Sequence, residues 1–358
     1  MKRRVARSAS RLDWPDAARR LARSLPLDCL HPSVRRWVQQ AVGPWSVALS
    51  GGADSLALLL LLWAHWPERR RGLLALHFNH GLRGRASDAD ARFCAAVCAG
   101  LGVRLRMARW ERKARIPSSE TAARAARMAF FDAVMTPSRR RVLWFGHHRN
   151  DVAESILMRL ARGSGLEGLA APRPVHLLTG GRVHVRPLLN LAKATLVAAL
   201  DAQRIPWRED ASNAEGDHLR NRLRQDVLPR WLAAEPQRDV LAGVGRSRDQ
   251  LEEDAEALES WAAGVTVDPD RGVSIATLQA LPLAVARRVV HRWRLRLGGR
   301  WGEVSRQTFE AVLVAARAGR STRVSLGASG FARIERGRLR FEPVGEKAAK
   351  LRKAARAN

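Results

Sequence analysis

Lysine is scarce in this chain. Only Lys2, Lys113, Lys193, Lys347, Lys350 and Lys353 occur among 63 basic residues, so nearly all of the positive charge is arginine. The planar guanidinium suits bidentate contacts to phosphate, although a coding bias towards arginine would also replace surface lysines without functional demand. Acids are scarce as well, 34 against 63 bases, which leaves a formal net charge of +29 over 358 residues. That excess goes beyond what solubility requires and implies a polyanionic partner. Cysteine is limited to Cys29, Cys94 and Cys98, too few for a disulfide framework or a four-ligand zinc site. Their number points to a reducing, cytoplasmic setting, and Cys94 and Cys98 are spaced to share a helix face. No apolar run approaches the ~20 residues of a membrane span; the longest, Leu56 to Trp63, is far shorter. Repeats and low-complexity blocks are absent. The first eleven residues hold Lys2, Arg3, Arg4, Arg7 and Arg11 without an acid or an apolar core, which excludes a secretory signal and suggests a disordered basic arm.

What is present is an alternation of short apolar runs and amphipathic segments between about residues 45 and 200, the pattern of a doubly wound α/β domain with a parallel sheet. Strands are expected at Ser46–Leu49, Leu73–Phe78, Val103–Met107, Val142–Phe145 and Val183–Pro187. Helices are expected at Ser55–Trp66, Asp88–Leu101 behind a Ser87/Asp90 cap, Glu120–Met135 and Asp151–Leu160. Pro229 and Pro236 bracket a change of character, followed by a long helix over Gln237–Ala263 with a run of acids. The expected organisation is a basic extension over 1–40, the α/β domain over 41–235, a linker helix and smaller, mainly helical domain over 236–345, and a basic tail over 346–358. In the smaller domain, helices fall at Leu283–Leu297 and Ser305–Ala318, and Thr322–Phe341 reads as a closing hairpin.

Three segments carry chemistry. Ser50-Gly51-Gly52-Ala53-Asp54-Ser55 lies between a strand and a helix, where glycines let the backbone approach phosphate while helix-start amides and serine hydroxyls donate to it. No lysine follows, so this is not a Walker A loop. Asp54 beside bound phosphate makes sense if a cation such as Mg²⁺ intervenes. An ordinary Gly-Gly turn is the alternative. Asn79-His80-Gly81-Leu82-Arg83-Gly84 and Gly146-His147-His148-Arg149-Asn150-Asp151 follow the second and fourth strands, at the carboxyl ends where open α/β sheets bind ligands. Asp151 and Glu154 are spaced to face one pocket, although Asn150 or Asp151 could equally cap the helix.

With Arg124-Ala125-Ala126-Arg127, Arg162-Gly163-Ser164-Gly165, Arg186-Pro187-Leu188-Leu189, Asp210-Ala211-Ser212-Asn213 and Arg220-Asn221-Arg222-Leu223-Arg224, the ordered set resembles the PP-loop ATP pyrophosphatases, and within them the tRNA(Ile)-lysidine synthetase branch. It departs from that pattern at Asn150, where an acid is usual, at Ser155 for Thr, and at Met128 for an aromatic. The resemblance implies a ligase that uses ATP and Mg²⁺ and modifies tRNA(Ile) with a CAU anticodon. The wobble cytidine would be adenylated, then L-lysine would displace AMP, changing the codon read from AUG to AUA. The resemblance also implies that Ser50 to Ser55 bind ATP, that Asp54 and Asp151 hold the metal, and that Glu154 holds the lysine ammonium. His80, Arg83, Arg124, Arg127, Arg162, Arg220, Arg222 and Arg224 become candidates for contact with tRNA or ATP phosphate, against the blander reading of solvated charges. The assembly expected is a soluble one without a membrane partner, and a homodimer is admitted.

Two rival functions share this scaffold. A PP-loop tRNA thiolase needs a persulfide or cluster on closely spaced cysteines, which Cys29, Cys94 and Cys98 do not readily supply. A non-catalytic tRNA-binding protein would need only the charge, but Asp54, Asp151 and Glu154 argue against it. In the smaller domain, Val285, Val289, Trp293 and Leu297 form a core stripe, and the arginines around it are candidates to position tRNA through its backbone.

Overall fold

In the computed structural model, which describes residues 12–81, 84–110, 120–178, 180–208, 219–268, 271–297 and 304–344, the chain divides into two compact units, Met1–Glu252 and Glu253–Asn358. Residues 12–40, the described part of the expected basic extension, pack into the core of the first unit. Helix α1 (Trp14–Ser24) is capped by Asp13 and opened by Pro15, and it buries Trp14, Ala17, Ala18 and Leu21, one face of a helix. Helix α2 (Pro32–Gln40) buries Val34 and Val38 in the same core. The central strand β1 (Trp45–Ala48) follows and leads through the 50–52 turn into α3 (Ala53–His65). Leucines 56 and 58–62 are all buried in α3. A helix apolar on every side must be covered on every side, and α1 meets this need on one flank.

The unit continues with β2 (Leu74–Asn79), α4 (Arg85–Leu101), β3 (Arg104–Arg109), α5 (Glu120–Met135), β4 (Val142–Trp144), α6 (Arg149–Ala161), α7 (Leu166–Leu169), β5 (Val175–Leu177), β6 (Val183–Val185) and α8 (Lys193–Ala202). The six strands run in the order β3-β2-β1-β4-β6-β5. All neighbours are parallel except β5, an antiparallel edge strand absent from the sequence expectation. After β1 the chain winds outward through β2 and β3, then returns to place β4 on the other side of β1. That reversal is the topological switch point at which doubly wound sheets bind ligands. Helix α4 starts three residues earlier than expected, after Gly84 with no side-chain cap. Asp90 therefore lies inside the helix, where its carboxylate accepts from Arg208 Nε at 2.6 Å.

Helix α9 (Leu219–Arg222), a π-helical turn over Leu223–Val227 and α10 (Leu228–Ala234) form one continuous segment. Helix α11 (Val240–Ala263) carries the boundary between the units within it. That boundary lies beyond the position expected from Pro236, since Leu241 and Val244 belong to a core cluster of the first unit with Val152, Ala153, Leu189 and Leu228.

The second unit holds β7 (Val273–Ser274), α12 (Ile275–Ala280), α13 (Leu283–Arg296), α14 (Arg306–Arg317), β8 (Thr322–Ser325), β9 (Gly330–Glu335) and β10 (Arg338–Pro343). Its helices are joined by an antiparallel sheet in the order β7-β10-β9-β8, one strand more elaborate at each side than the hairpin expected. Val285, Val289, Trp293 and Leu297 are buried against Leu339 and Ile334, so the stripe on α13 is core. No described helix is long and apolar enough to cross a membrane.

Candidate active site

The turn between β1 and α3 is built on close approach. Gly51 has φ +91°, a left-handed backbone that favours glycine, and a Cβ there would lie 3.2 Å from Cys94 Sγ. Gly52 caps α3. Within the turn, the Ser50 amide donates to Ser55 Oγ at 3.1 Å, the two hydroxyl oxygens are 3.0 Å apart, and the Gly52 amide donates to Ser50 Oγ at 3.3 Å. The serines thus hold the turn's shape. Gly146, just after β4, presses against the start of α3, because a Cβ there would meet the Asp54 carbonyl oxygen at 2.8 Å. This contact brings the segment after β4 alongside Asp54.

His148 joins the two. It is buried, with Nε2 3.5 Å from Asp54 Oδ2 and Nδ1 3.4 Å from Asp151 Oδ2. It also caps α6 reciprocally: the Asp151 amide meets His148 Nδ1 and the His148 amide donates to Asp151 Oδ2 at 3.0 Å. Capping and catalytic placement are therefore compatible at Asp151. Burial opposes charge on this imidazole, but Asp151 and Asp54 outweigh it and hold the His148 pKa above its ordinary 6.5. Burial likewise opposes ionisation of Asp151, yet His148 and Arg220 bring its pKa down to about 2.

Glu154, one turn on, has no solvent exposure. Arg220 Nε donates to its Oε2 at 2.8 Å, and Arg224 Nε donates to its Oε1 at 2.7 Å. The same arginines reach Asp151 Oδ1 through Nη2, at 3.0 and 3.5 Å. Arg220 and Arg224 lie four residues apart on the α9 and π-helical segment, and π-turns are frequent at functional sites. The two arginines are thus not solvated surface charges; they neutralise the carboxylate pair. Every oxygen of Asp151 and Glu154 is engaged by His148, Arg220 or Arg224. Asp54 differs. Its Oδ1 is buried without a hydrogen-bond partner, the orphaned hard oxygen that suits Mg²⁺, an ion content with one or two carboxylates beside phosphate oxygens.

Asn150 faces elsewhere: its Oδ1 accepts from the Lys193 amide at 2.9 Å, at the start of α8. The Lys193 ammonium acts electrostatically on His148. His148 and Lys193 escaped sequence reasoning, although one signal existed, since Lys193 is the only lysine among the described residues of an arginine-rich chain. The other candidates are less concentrated. His80 packs edge-on against Phe78 and Trp110, 4.9 and 6.2 Å between centres. Arg127 is half-buried, whereas Arg124, Arg162 and Arg222 are exposed. Arg83 and the segment 209–218 lie outside the described residues. Cys94 and Cys98 are buried packing groups, and burial pushes the Cys98 thiol up to about 12.

Comparison with known proteins gives this constellation a context. The PP-loop domain family matches residues 32–231, and the TilS substrate binding domain matches residues 274–340. A tRNA(Ile)-lysidine synthase from Polaromonas naphthalenivorans is 36% identical over 70% of this chain and 75% of that protein. The chain belongs to the tRNA(Ile)-lysidine synthase family. Other tRNA(Ile)-lysidine synthases are similar over less of their length. That of Geobacter sulfurreducens is 37% identical over 74% of this chain and 57% of its own, and that of Pseudomonas aeruginosa is 42% identical over 62% and 49%. The chain thus spans about half the length of these two lysidine synthases. All of the site described above falls inside the PP-loop match.

Proposed function

We propose that the chain is a tRNA(Ile)-lysidine synthase that uses ATP to attach L-lysine to the wobble cytidine of a CAU anticodon. The observation that carries this reading is the contact chain Asp54–His148–Asp151–Arg220/Arg224–Glu154, which links the phosphate loop to a buried, charge-balanced carboxylate pair. A binding protein has no need for such a network. In the first step the cytidine carbonyl oxygen attacks the α-phosphorus of ATP, an O–P bond forms, and the bond to the β-phosphate breaks to release pyrophosphate. Free amides at the start of α3 and the Ser50 and Ser55 hydroxyls receive the phosphates. Asp54 would hold Mg²⁺, whose positive charge offsets the negative charge developing on the phosphate oxygens. His148 keeps the Asp54 side chain in place, and Lys193 adds a cation at the same edge.

In the second step the lysine ε-amine attacks the activated carbon, the C–O bond breaks so that AMP departs with its oxygen, and the amine passes its proton to the Glu154 carboxylate. A lysine ammonium approaching Asp151 and Glu154 must take an oxygen that Arg220 or Arg224 now holds. Such an exchange conserves charge and releases a guanidinium towards the departing phosphate. Asp151 and Glu154 hold the arginines in the meantime.

Pyrophosphate release tests this reading. It should require the CAU-anticodon tRNA, and Asp54→Asn should abolish it while leaving tRNA affinity nearly intact. Release that is independent of tRNA, or undiminished in Asp54→Asn, would refute it.

A further inference from the structure

The carboxyl ends of β4 and β6 hold a second group of cations that the chemistry at Asp54, Asp151 and Glu154 does not use. Arg186, directly after β6, is buried. Its Nε donates to His147 Nδ1 at 3.2 Å, its Nη1 donates to the Arg173 carbonyl at 2.8 Å, and its guanidinium lies 5.6 Å from the centre of the Phe145 ring. Among the described residues no carboxylate reaches it. Its neighbours do have carboxylates: Arg248 pairs with Asp249 and Glu252, and Arg173 lies 3.7 Å from Glu167 and 4.0 Å from Glu252. A buried guanidinium with neutral acceptors alone is costly.

The surroundings add positive charge. Burial, then Arg124, Arg159 and Arg248, bring the Arg186 pKa down to about 10. His147 and His184 flank Phe145 with ring centres 5.5 and 5.0 Å from it. Because His147 Nδ1 accepts from Arg186, that ring is neutral. Arg124, on α5, is exposed and forms no ion pair with a described residue.

We propose that Arg186, together with Arg124, anchors a phosphodiester site that takes an RNA backbone phosphate beside the base presented to Asp151. The proposal rests on the lysidine reading for the identity of the RNA. A phosphate diester offers what the site lacks, a negative charge with oxygens matched to a guanidinium fork. The nucleotide has its own loop after β1, two strands away from β6 and hence roughly 10 Å off at the usual strand spacing. Exposed Arg124 leaves the group open to solvent, as a polymer strand requires.

The test uses the full chain and anticodon stem-loop RNAs of tRNA(Ile), each with one phosphate near the wobble position replaced by a neutral methylphosphonate. Wild type should lose affinity at one such position by about tenfold or more, the value of a charge-assisted hydrogen bond. Arg186→Gln should bind the unmodified RNA correspondingly less well and be indifferent to that replacement. Because Arg186 is buried, Arg124→Gln at an exposed position provides a second arm and should shrink the same penalty. MgATP affinity should be unchanged in Arg186→Gln. An undiminished penalty in both, no position-specific penalty in wild type, or weakened MgATP with unchanged RNA binding would each overturn the proposal. Wild type that binds no stem-loop at all would instead overturn the lysidine reading on which it rests.

Discussion

Glu154 can be charged at zero exposure because Arg220 and Arg224 both donate to it, and removing that charge strands two half-buried guanidinium groups. Glu154→Gln should therefore lower unfolding free energy by about 3 kcal/mol, the usual penalty for breaking a buried ion pair from one side, as read by urea denaturation. The same variant should complete adenylation yet need more lysine, whereas Asp151→Asn, which removes the partner of His148, should stall before pyrophosphate release. Adenylated tRNA accumulating in Asp151→Asn would contradict that division. Asp151 also sets an acid dependence. Its pKa falls from an ordinary 3.8 to about 2 on folding, so its contribution to stability is complete above 3.8 and is lost as pH drops through about 2. Acid denaturation of wild type should show that loss, and Asp151→Asn should lack it. At this scale the acids were legible in the sequence, because Asp54, Asp151 and Glu154 stand in local motifs. Their partners were not: Arg220 and Glu154 are 66 positions apart, and only the turn of α9 against α6 pairs them.

Helix α1 illustrates what an element needs before its burial can be read. Its inward face is Trp14, Ala17, Ala18 and Leu21 among arginines, so it resembles a basic extension until α3 and α4 supply its partner surface. The fit is tight at Gly100, where a Cβ would come within 2.4 Å of the Trp14 ring. Trp14→Ala should cost about 3–5 kcal/mol, the range for emptying an aromatic site in a core, measurable by thermal or urea unfolding. Gly146→Ala should cost both stability, by about 1–3 kcal/mol, and function, since a Cβ there would push the backbone at the start of α3 from the segment after β4 and separate Asp54 from His148. A strong loss of adenylation together with a lowered unfolding midpoint is the expected result. The parallel strands and the main helices were readable from apolar periodicity. Edge strand β5 was not, because Val175–Leu177 is three residues long and its pairing to β6 is set by tertiary context.

Across the whole molecule, the charge of +29 is spread over both units, and part of it is already neutralised within the protein. In the second unit Arg292 pairs with Glu259, Arg288 lies 3.9 Å from it, and Arg287 donates to Glu310, so acids of α11 and α14 serve arginines of α13. Exposed Arg296 has no such partner among the described residues. Replacing Arg288, Arg292 and Arg296 together should still flatten the salt dependence of tRNA binding, because phosphate contacts release counterions, with Arg296 contributing the largest share. Cutting near Pro236 would remove Leu241, Val244 and the buried Arg248 from the first unit, so a chain ending after Ala263 is the better isolated ATP-binding fragment. The paired prolines and the change of character after them made two units legible, but not that the boundary falls inside a helix, because α11 is regular through it. The central claim is that the two units together attach lysine to one tRNA, and the direct measurement is ATP-dependent incorporation of labelled L-lysine into tRNA(Ile) and tRNA(Met) transcripts that share the CAU anticodon. The account predicts one lysine per tRNA(Ile) with stoichiometric AMP and pyrophosphate, and little into tRNA(Met). Pyrophosphate release without lysine incorporation, or incorporation of sulfur instead, would contradict it.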